Sequence, residues 1–228
     1  MLRNRILTFS DYYLPGFKAG GPIKSVTSIV EMLGDEFSFH VITSARDLGS
    51  PFHYPNVPLR EWVSVGKAQV FYTPSGRLAW KELKALLAGD WASIYLNSFF
   101  SPNTILTLLA LRVVGKKVPV LLAPRGEFSP GALQLKRLKK MIFLAFVKRV
   151  GLYAAVSWHA STLREQAEIG AHFPLHAGRP SGRGEFFVAG NLSTQQPNAA
   201  GRTLDKAPGS LRVAFLSRVA RKKNLHYA

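Results

Sequence analysis

The 228-residue sequence has no cysteine, which excludes disulfides, thiolate metal sites and a cysteine nucleophile. Acidic side chains are scarce: 13 Asp and Glu stand against 30 Lys and Arg, a formal charge of +17. A field this positive points to anionic partners, whether phosphate-bearing ligands, an acidic membrane surface or nucleic acid. Nucleic acid is the weakest of these, because no aromatic platform, recognition helix or zinc spacing accompanies the charge. Long apolar runs are also missing. The two longest, residues 104–114 and 141–147, fall short of the ~20 residues a membrane span needs. The run Ile6 to Phe9, followed at once by Ser10 and Asp11, is too short for a signal peptide. The expected location is the cytoplasm, with peripheral attachment to the inner face of a membrane as the variant of that reading. His40, His53, His172, His176 and His226 show no ligand spacing, so no metal is expected.

Hydrophobic residues make up 47% of the chain, enough to fill one sizeable α/β core with a remainder. Strand-like runs at 6–9, 37–43, 69–72, 93–96, 118–122 and 152–158 alternate with helix-period segments that end near 33 or cover 79–88, 103–114 and 131–150. Alternation of this kind, with Val- and Leu-rich strands, predicts a Rossmann-like parallel sheet with helices on both faces. Residues 44–65 read as a long Pro-rich connection, a type often functional. After a short strand at 186–188, residues 193–210 have the Gln, Asn, Pro and Gly content of a linker. The expected organisation is one domain over 1–192, a linker over 193–210, and at 211–228 the first strand and loop of a second domain.

Three loops carry chemistry. In YYLPGFKAGGPIKSV, residues 12–26, Gly20 and Gly21 remove two Cβ atoms at a tight turn and Pro22 opens a helix. Free amides and the helix dipole favour a phosphate there; a plain tight turn fits equally well. Neither a Walker loop nor GxGxxG is present: Lys24 and Ser25 come too late, and the glycines are Gly16, Gly20 and Gly21. The second loop, APRGEFSPGAL at 123–133, leaves the carboxyl end of an apolar strand, where open α/β sheets bind ligands. Arg125 brings a fixed cation with five donors and Gly126 allows close approach. In the third, His159 ends a strand and Ser161 or Thr162 caps a helix whose first turn holds Glu165. A lone histidine there also fits a structural role.

Together these loops resemble family 4 of the retaining glycosyltransferases, two-domain enzymes of the GT-B fold. The proline, spacer and GGP after the first strand, the RG-x-x-SPGAL loop, and the histidine followed by Ser or Thr and Glu occur in the family's order. Near the end, Arg218 and Lys223 fall on the two basic positions of the family's G-R-x-x-x-x-K-G loop, with Ser217 and Asn224 in place of its glycines. The resemblance implies metal-independent transfer of a sugar from a nucleotide-sugar donor to a glycan or lipid-linked acceptor, with retention and no cofactor. It implies donor diphosphate binding by Gly20, Gly21, Arg218 and Lys223, acceptor binding by Arg125, Gly126 and His159, and a catalytic role for His159. It covers only about the first half of a typical member, and none of the eight glutamates shows the family's E-x7-E spacing. Expected, therefore, is a truncated chain that alone is catalytically silent and binds nucleotide sugars weakly.

The segment 131–150 holds Lys136, Arg137, Lys139, Lys140, Lys148 and Arg149 and no acid. Read as one helix, it places Leu135, Leu138, Ile142, Ala145 and Phe146 on a core face. Lys136, Lys140, Phe143 and Val147 share another face, which with Lys139 turns outward, toward a membrane interface or simply toward solvent and a neighbouring helix. This supports an alternative from a different class: a non-enzymatic basic protein that docks on anionic membrane lipid.

Overall fold

The structure, a computed structural model, describes residues 4–174 and 184–192. The expected linker at 193–210 and the segment 211–228, with Arg218 and Lys223, lie outside the described residues. In chain order the elements are β1 (Asn4–Ser10), α1 (Gly21–Leu33), β2 (Phe37–Ser44), β3 (Trp62–Val65), β4 (Ala68–Thr73), α2 (Trp80–Ala88) and β5 (Ser93–Asn97). There follow α3 (Pro102–Val114), β6 (Val120–Ala123), α4 (Pro130–Gln134), α5 (Arg137–Arg149), β7 (Val156–Ala160), α6 (Leu163–Gly170) and β8 (Phe186–Val188). They build one eight-stranded sheet of order β3-β4-β2-β1-β5-β6-β7-β8. Every pairing is parallel except that of β3 with β4, and the fold is α/β of Rossmann-like form.

Alternate residues of the strands go to opposite faces of the sheet, and each face is covered. Phe39, Val41, Val70 and Tyr72 pack with Val26 and Val30 of α1. Ile42 and Phe71 turn to the other side, where Leu83 and Leu87 of α2, Leu108 and Leu111 of α3, and Leu144 and Val147 of α5 form the larger core. Phe99, 0% exposed, is the hub of that core. Its ring centroid lies 4.3 Å from Tyr153, 4.8 Å from Phe128 and 4.9 Å from Phe100. That packing fixes the loop after β5.

Three expectations need correction. The connection 44–65 ends in a strand: β3 is the first arm of a hairpin whose turn is Gly66 (φ 57) and Lys67, with Val65 paired to Ala68. The signal was present in the alternating W-V-S-V run before a two-residue glycine turn. The strand expected at 152–158 begins only at Val156, because Gly151 (φ 59) turns the chain at the end of α5; Leu152 and Tyr153 are buried in that turn instead.

The third concerns the basic helix, which is two helices. Leu135 is extended and Lys136 left-handed at φ 58, and the Lys140 ammonium donates back to the Ala132 carbonyl at 2.6 Å, holding the kink. The helix beyond the kink is rolled opposite to the expected phase. Leu144 and Val147 are buried and Phe143 packs on Phe99 and Phe100 at 5.8 and 5.7 Å. Lys140 lies over the Phe100 ring. Leu135, Leu138, Ile142 and Phe146, expected in the core, are exposed.

Candidate functional site

From β1 the chain winds outward through β2 and β4 on one side, and from β5 through β6, β7 and β8 on the other. The winding reverses between β1 and β5, and open α/β sheets bind ligands in the crevice at the carboxyl ends of such a pair. Two polar residues bridge it here. Asn97, ending β5, donates from Nδ2 to the Phe9 carbonyl of β1 at 3.3 Å. Asp11, just past β1, accepts from Ser101 Oγ at 2.6 Å and Asn103 Nδ2 at 3.1 Å at the start of α3. Beside them opens a recess of about 190 Å³ lined by Asp11, Ser44, Gly76, Arg77 and Asn103.

Arg125, from the loop after β6, meets the crevice at Asn97. Its Nε and Nη2 donate to Asn97 Oδ1 at 3.3 and 3.1 Å, Nη2 also to Tyr95 Oη at 2.7 Å, and Nη1 to Asn191 Oδ1 at 2.7 Å. All these acceptors are neutral. No Asp or Glu pairs with Arg125 among the described residues, so its charge is fixed in place but not cancelled. The backbone is strained to present it: Arg125 has φ 56, and Ser98 on the adjoining loop has φ 95. Left-handed geometry costs a non-glycine residue about 1 kcal/mol, and such strain gathers where a loop is held for function.

Behind the arginine runs a relay. Burial pushes the Tyr95 phenol up to about 12, so it keeps its proton and donates it to His159 Nδ1 at 2.8 Å. The opposite nitrogen, Nε2–H, donates to the Ala189 carbonyl at 2.9 Å, tying β7 to the chain beyond β8. Both ring nitrogens of His159 are therefore occupied within the protein, and its side chain is buried. In this arrangement His159 orients the Tyr95 hydroxyl, which in turn accepts from Arg125.

Two carboxylates brace the loops. Glu165 accepts from the Gly126 amide at 2.6 Å and, on its other oxygen, from the Ser161 amide at 2.8 Å and hydroxyl at 2.6 Å. Thr162 caps α6, its Oγ1 accepting from the Glu165 amide. Since the Gly126 N–H is spent on Glu165, Gly126 offers a ligand close approach rather than a donor. Glu127 accepts from Ser98 Oγ at 2.7 Å and from the amides of Phe99 and Phe100. Burial raises its pKa, with those donors working against the rise.

The glycine loop lies over β1. Gly20 sits at φ 67, ψ −121, a conformation open to glycine alone. Asp47 anchors the loop from the far side of β2, accepting from the amides of Phe17 and Lys18 at 3.0 and 3.2 Å and from Leu48 at 2.7 Å. Burial opposes the Asp47 charge, yet these amides hold its pKa below the ordinary value. A Cβ added at Gly21 would meet nothing within 4 Å, so Gly21 faces open space. Gly21→Ala is expected to leave the melting temperature unchanged or slightly raised. If a ligand rests on this backbone, the same change lowers kcat/KM for a nucleotide-sugar donor about tenfold or more. An unchanged kcat/KM would make the loop a plain tight turn.

Neutral His159 also predicts a pH response. Burial lowers its pKa from the usual 6.5, the Ala189 bond opposing and the Arg125 charge assisting. The unfolded chain then takes up a proton near pH 6.5 that the folded chain refuses, so stability is fully present above 6.5 and falls as pH drops through and below it. His40 and His172 shift the same way through burial. The urea midpoint should decline below pH 6.5, less steeply in His159→Gln; a flat profile in both proteins would contradict this.

Among the recesses described, the largest, about 500 Å³, lies at the opposite end of the sheet, between the start of β6 and the turn at Gly151. Two of its rim cations are engaged: Arg112 donates to the carbonyls of Val150 and Gly151, and Lys116 to those of Ala88 and Gly89. No polar groups converge there as they do at Arg125. Among the described residues no group of three or more His, Asp or Glu is placed to hold a metal ion, and no helix is long and apolar enough to cross a membrane. No protein-family model matches the chain, and no curated protein matches it.

Sequence reasoning singled out Arg125, Gly126, His159 and the Gly20–Gly21 pair, which the topology lines up on the carboxyl ends of β6, β7 and β1. It missed Tyr95, Asn97, Glu127 and Asp47. The polar Asn97 closing an apolar strand was a usable signal; the Tyr95 hydroxyl had none. Lys140, Phe143 and Val147, expected on the outer surface, turn toward the core, whereas Lys136 and Lys139 are exposed.

Proposed function

We propose that this chain supplies the acceptor-side domain of a GT-B glycosyltransferase, which moves a sugar with retention from a nucleotide-sugar donor to a glycan or lipid-linked acceptor. The observation that carries the reading is Arg125: an uncancelled guanidinium, held by neutral partners on strained backbone, beside the β1–β5 switch point. In such a reaction the bond from the sugar's anomeric carbon to the diphosphate breaks, and the acceptor oxygen bonds to that carbon and loses its proton. Negative charge grows on the leaving diphosphate. A cation already oriented toward that region stabilises it without reorganisation. On this reading the Gly20–Gly21 backbone lets the donor diphosphate approach, Arg218 and Lys223 share its charge with Arg125, and Asp11 and Asn97, together with the same guanidinium, line the adjoining acceptor's place. His159, Tyr95, Glu165 and Glu127 hold that lining.

The test is sugar transfer by the complete product of the gene, assayed with a panel of nucleotide-sugar donors against glycan and lipid-linked acceptors without added metal. Transfer with retained anomeric configuration is the expected result. Its absence across the panel sinks the proposal.

A further inference from the structure

Helix α5 carries two apolar stripes, and the described residues cover only one. Lys140, Phe143, Leu144 and Val147 point to the core. About 180° around the helix, Leu138, Met141, Ile142, Ala145 and Phe146 point outward, with Leu138 75% and Ile142 and Phe146 each 61% exposed. Leu135, in the kink just before, is exposed as well and prolongs the stripe. Single apolar side chains at a surface are ordinary, but a contiguous patch with a polar rim marks an interaction surface.

The charges around the stripe identify its partner. At 100° per residue Arg137 and Lys148 fall on one flank and Lys139 on the other, with Lys136 before the helix and Arg149 at its end. All five are exposed, and residues 130–150 contain no Asp or Glu. We infer that the outer face of α5 docks on an anionic lipid bilayer. The apolar stripe enters the acyl boundary while the flanking cations meet headgroup phosphates, as in helices that lie in the membrane plane. A second copy of this chain is the wrong occupant, since two such faces would bring cations together with no carboxylate between them, on molecules of formal charge +17. The inference is independent of sugar transfer and concerns a different face from the Arg125 crevice.

The experiment is flotation of the 228-residue chain with vesicles of phosphatidylcholine alone and of phosphatidylcholine mixed with phosphatidylglycerol. The chain should float with the mixed vesicles, lose binding as salt rises, and float poorly with the neutral ones. Ile142→Asp with Phe146→Asp should weaken binding about tenfold or more, and so should Arg137→Glu with Lys139→Glu. Thermal melts should stay close to the parent, because none of these four side chains is buried. Slower hydrogen exchange over residues 137–149 on mixed vesicles provides a measurement without mutation. Absence of flotation, equal flotation on both vesicle types, or unweakened binding by the aspartate variant would overturn the inference. So would a lipid-free dimer that the aspartate variant breaks, which would assign the face to a second copy.

Discussion

If the chain serves sugar transfer as proposed, Arg125→Ala should lower kcat/KM by about 100-fold or more, the range seen when a preorganised charge-stabilising donor is removed from a reaction centre. The fold should persist. The side chain is half-buried, but the oxygens it leaves, Tyr95 Oη and Asn97 Oδ1, belong to residues only 5% exposed, so the stability cost is about 1–3 kcal/mol. Arg125→Lys separates charge from geometry. An ammonium retains the positive charge but cannot bond Tyr95, Asn97 and Asn191 at once as the planar fork does. Lysine should therefore recover part of the activity lost in alanine. Steady-state kinetics beside thermal melts decides the matter: full activity in the alanine variant would make Arg125 a purely structural cation.

Glu165→Ala should cost about 3 kcal/mol, since it strips partners from the Gly126 amide and from both the amide and hydroxyl of Ser161 in a site where Glu165 is itself only 5% exposed. In a protein of this size that corresponds to a melting temperature about 10 °C lower. The damage should extend to the crevice, because the Gly126 amide fixes the strained turn that presents Arg125. Glu165→Gln keeps one acceptor oxygen but turns an N–H toward a donor, and should fall between the parent and the alanine variant. Denaturant unfolding checks both. A loss below about 1 kcal/mol in the alanine variant would mean that water substitutes for the carboxylate and that the loop is not held from α6.

Much of the architecture is legible in local patterns. The apolar runs that became β1, β2 and β5, and the helices α2 and α3, follow from periodicity, because a strand buried between two helical layers needs apolar side chains on both faces. A cap of α6 at Ser161 or Thr162 could be recognised because capping is a contact between residues three apart; the structure places it at Thr162. The turn at Gly20 was legible for a similar reason: only the residue's own φ and ψ are at stake. Helix α5 was not. Leu138, Ile142 and Phe146 form as regular a stripe as Phe143, Leu144 and Val147, and periodicity within a helix ranks neither. The left-handed break at Lys136 and the ring cluster around Phe99, contributed by residues far apart in the chain, set the roll.

The site divides along the same line. By itself the sequence determined that Arg125 and Gly126 leave the carboxyl end of an apolar strand in a loop, that Gly20 and Gly21 open a helix after the first strand, and that no thiolate can take part. Each of these depends on residue type and near neighbours alone. Only the tertiary structure decided that Arg125 would be held by Tyr95, Asn97 and Asn191 without a countercharge among the described residues, that both nitrogens of His159 would be used internally, and that the apolar stripe of α5 would face outward. Those outcomes depend on the parallel register of β1, β5, β6 and β7 and on the packing that rolls α5, and hydrogen bonds between residues 28 to 66 positions apart exist only once the strands stand side by side.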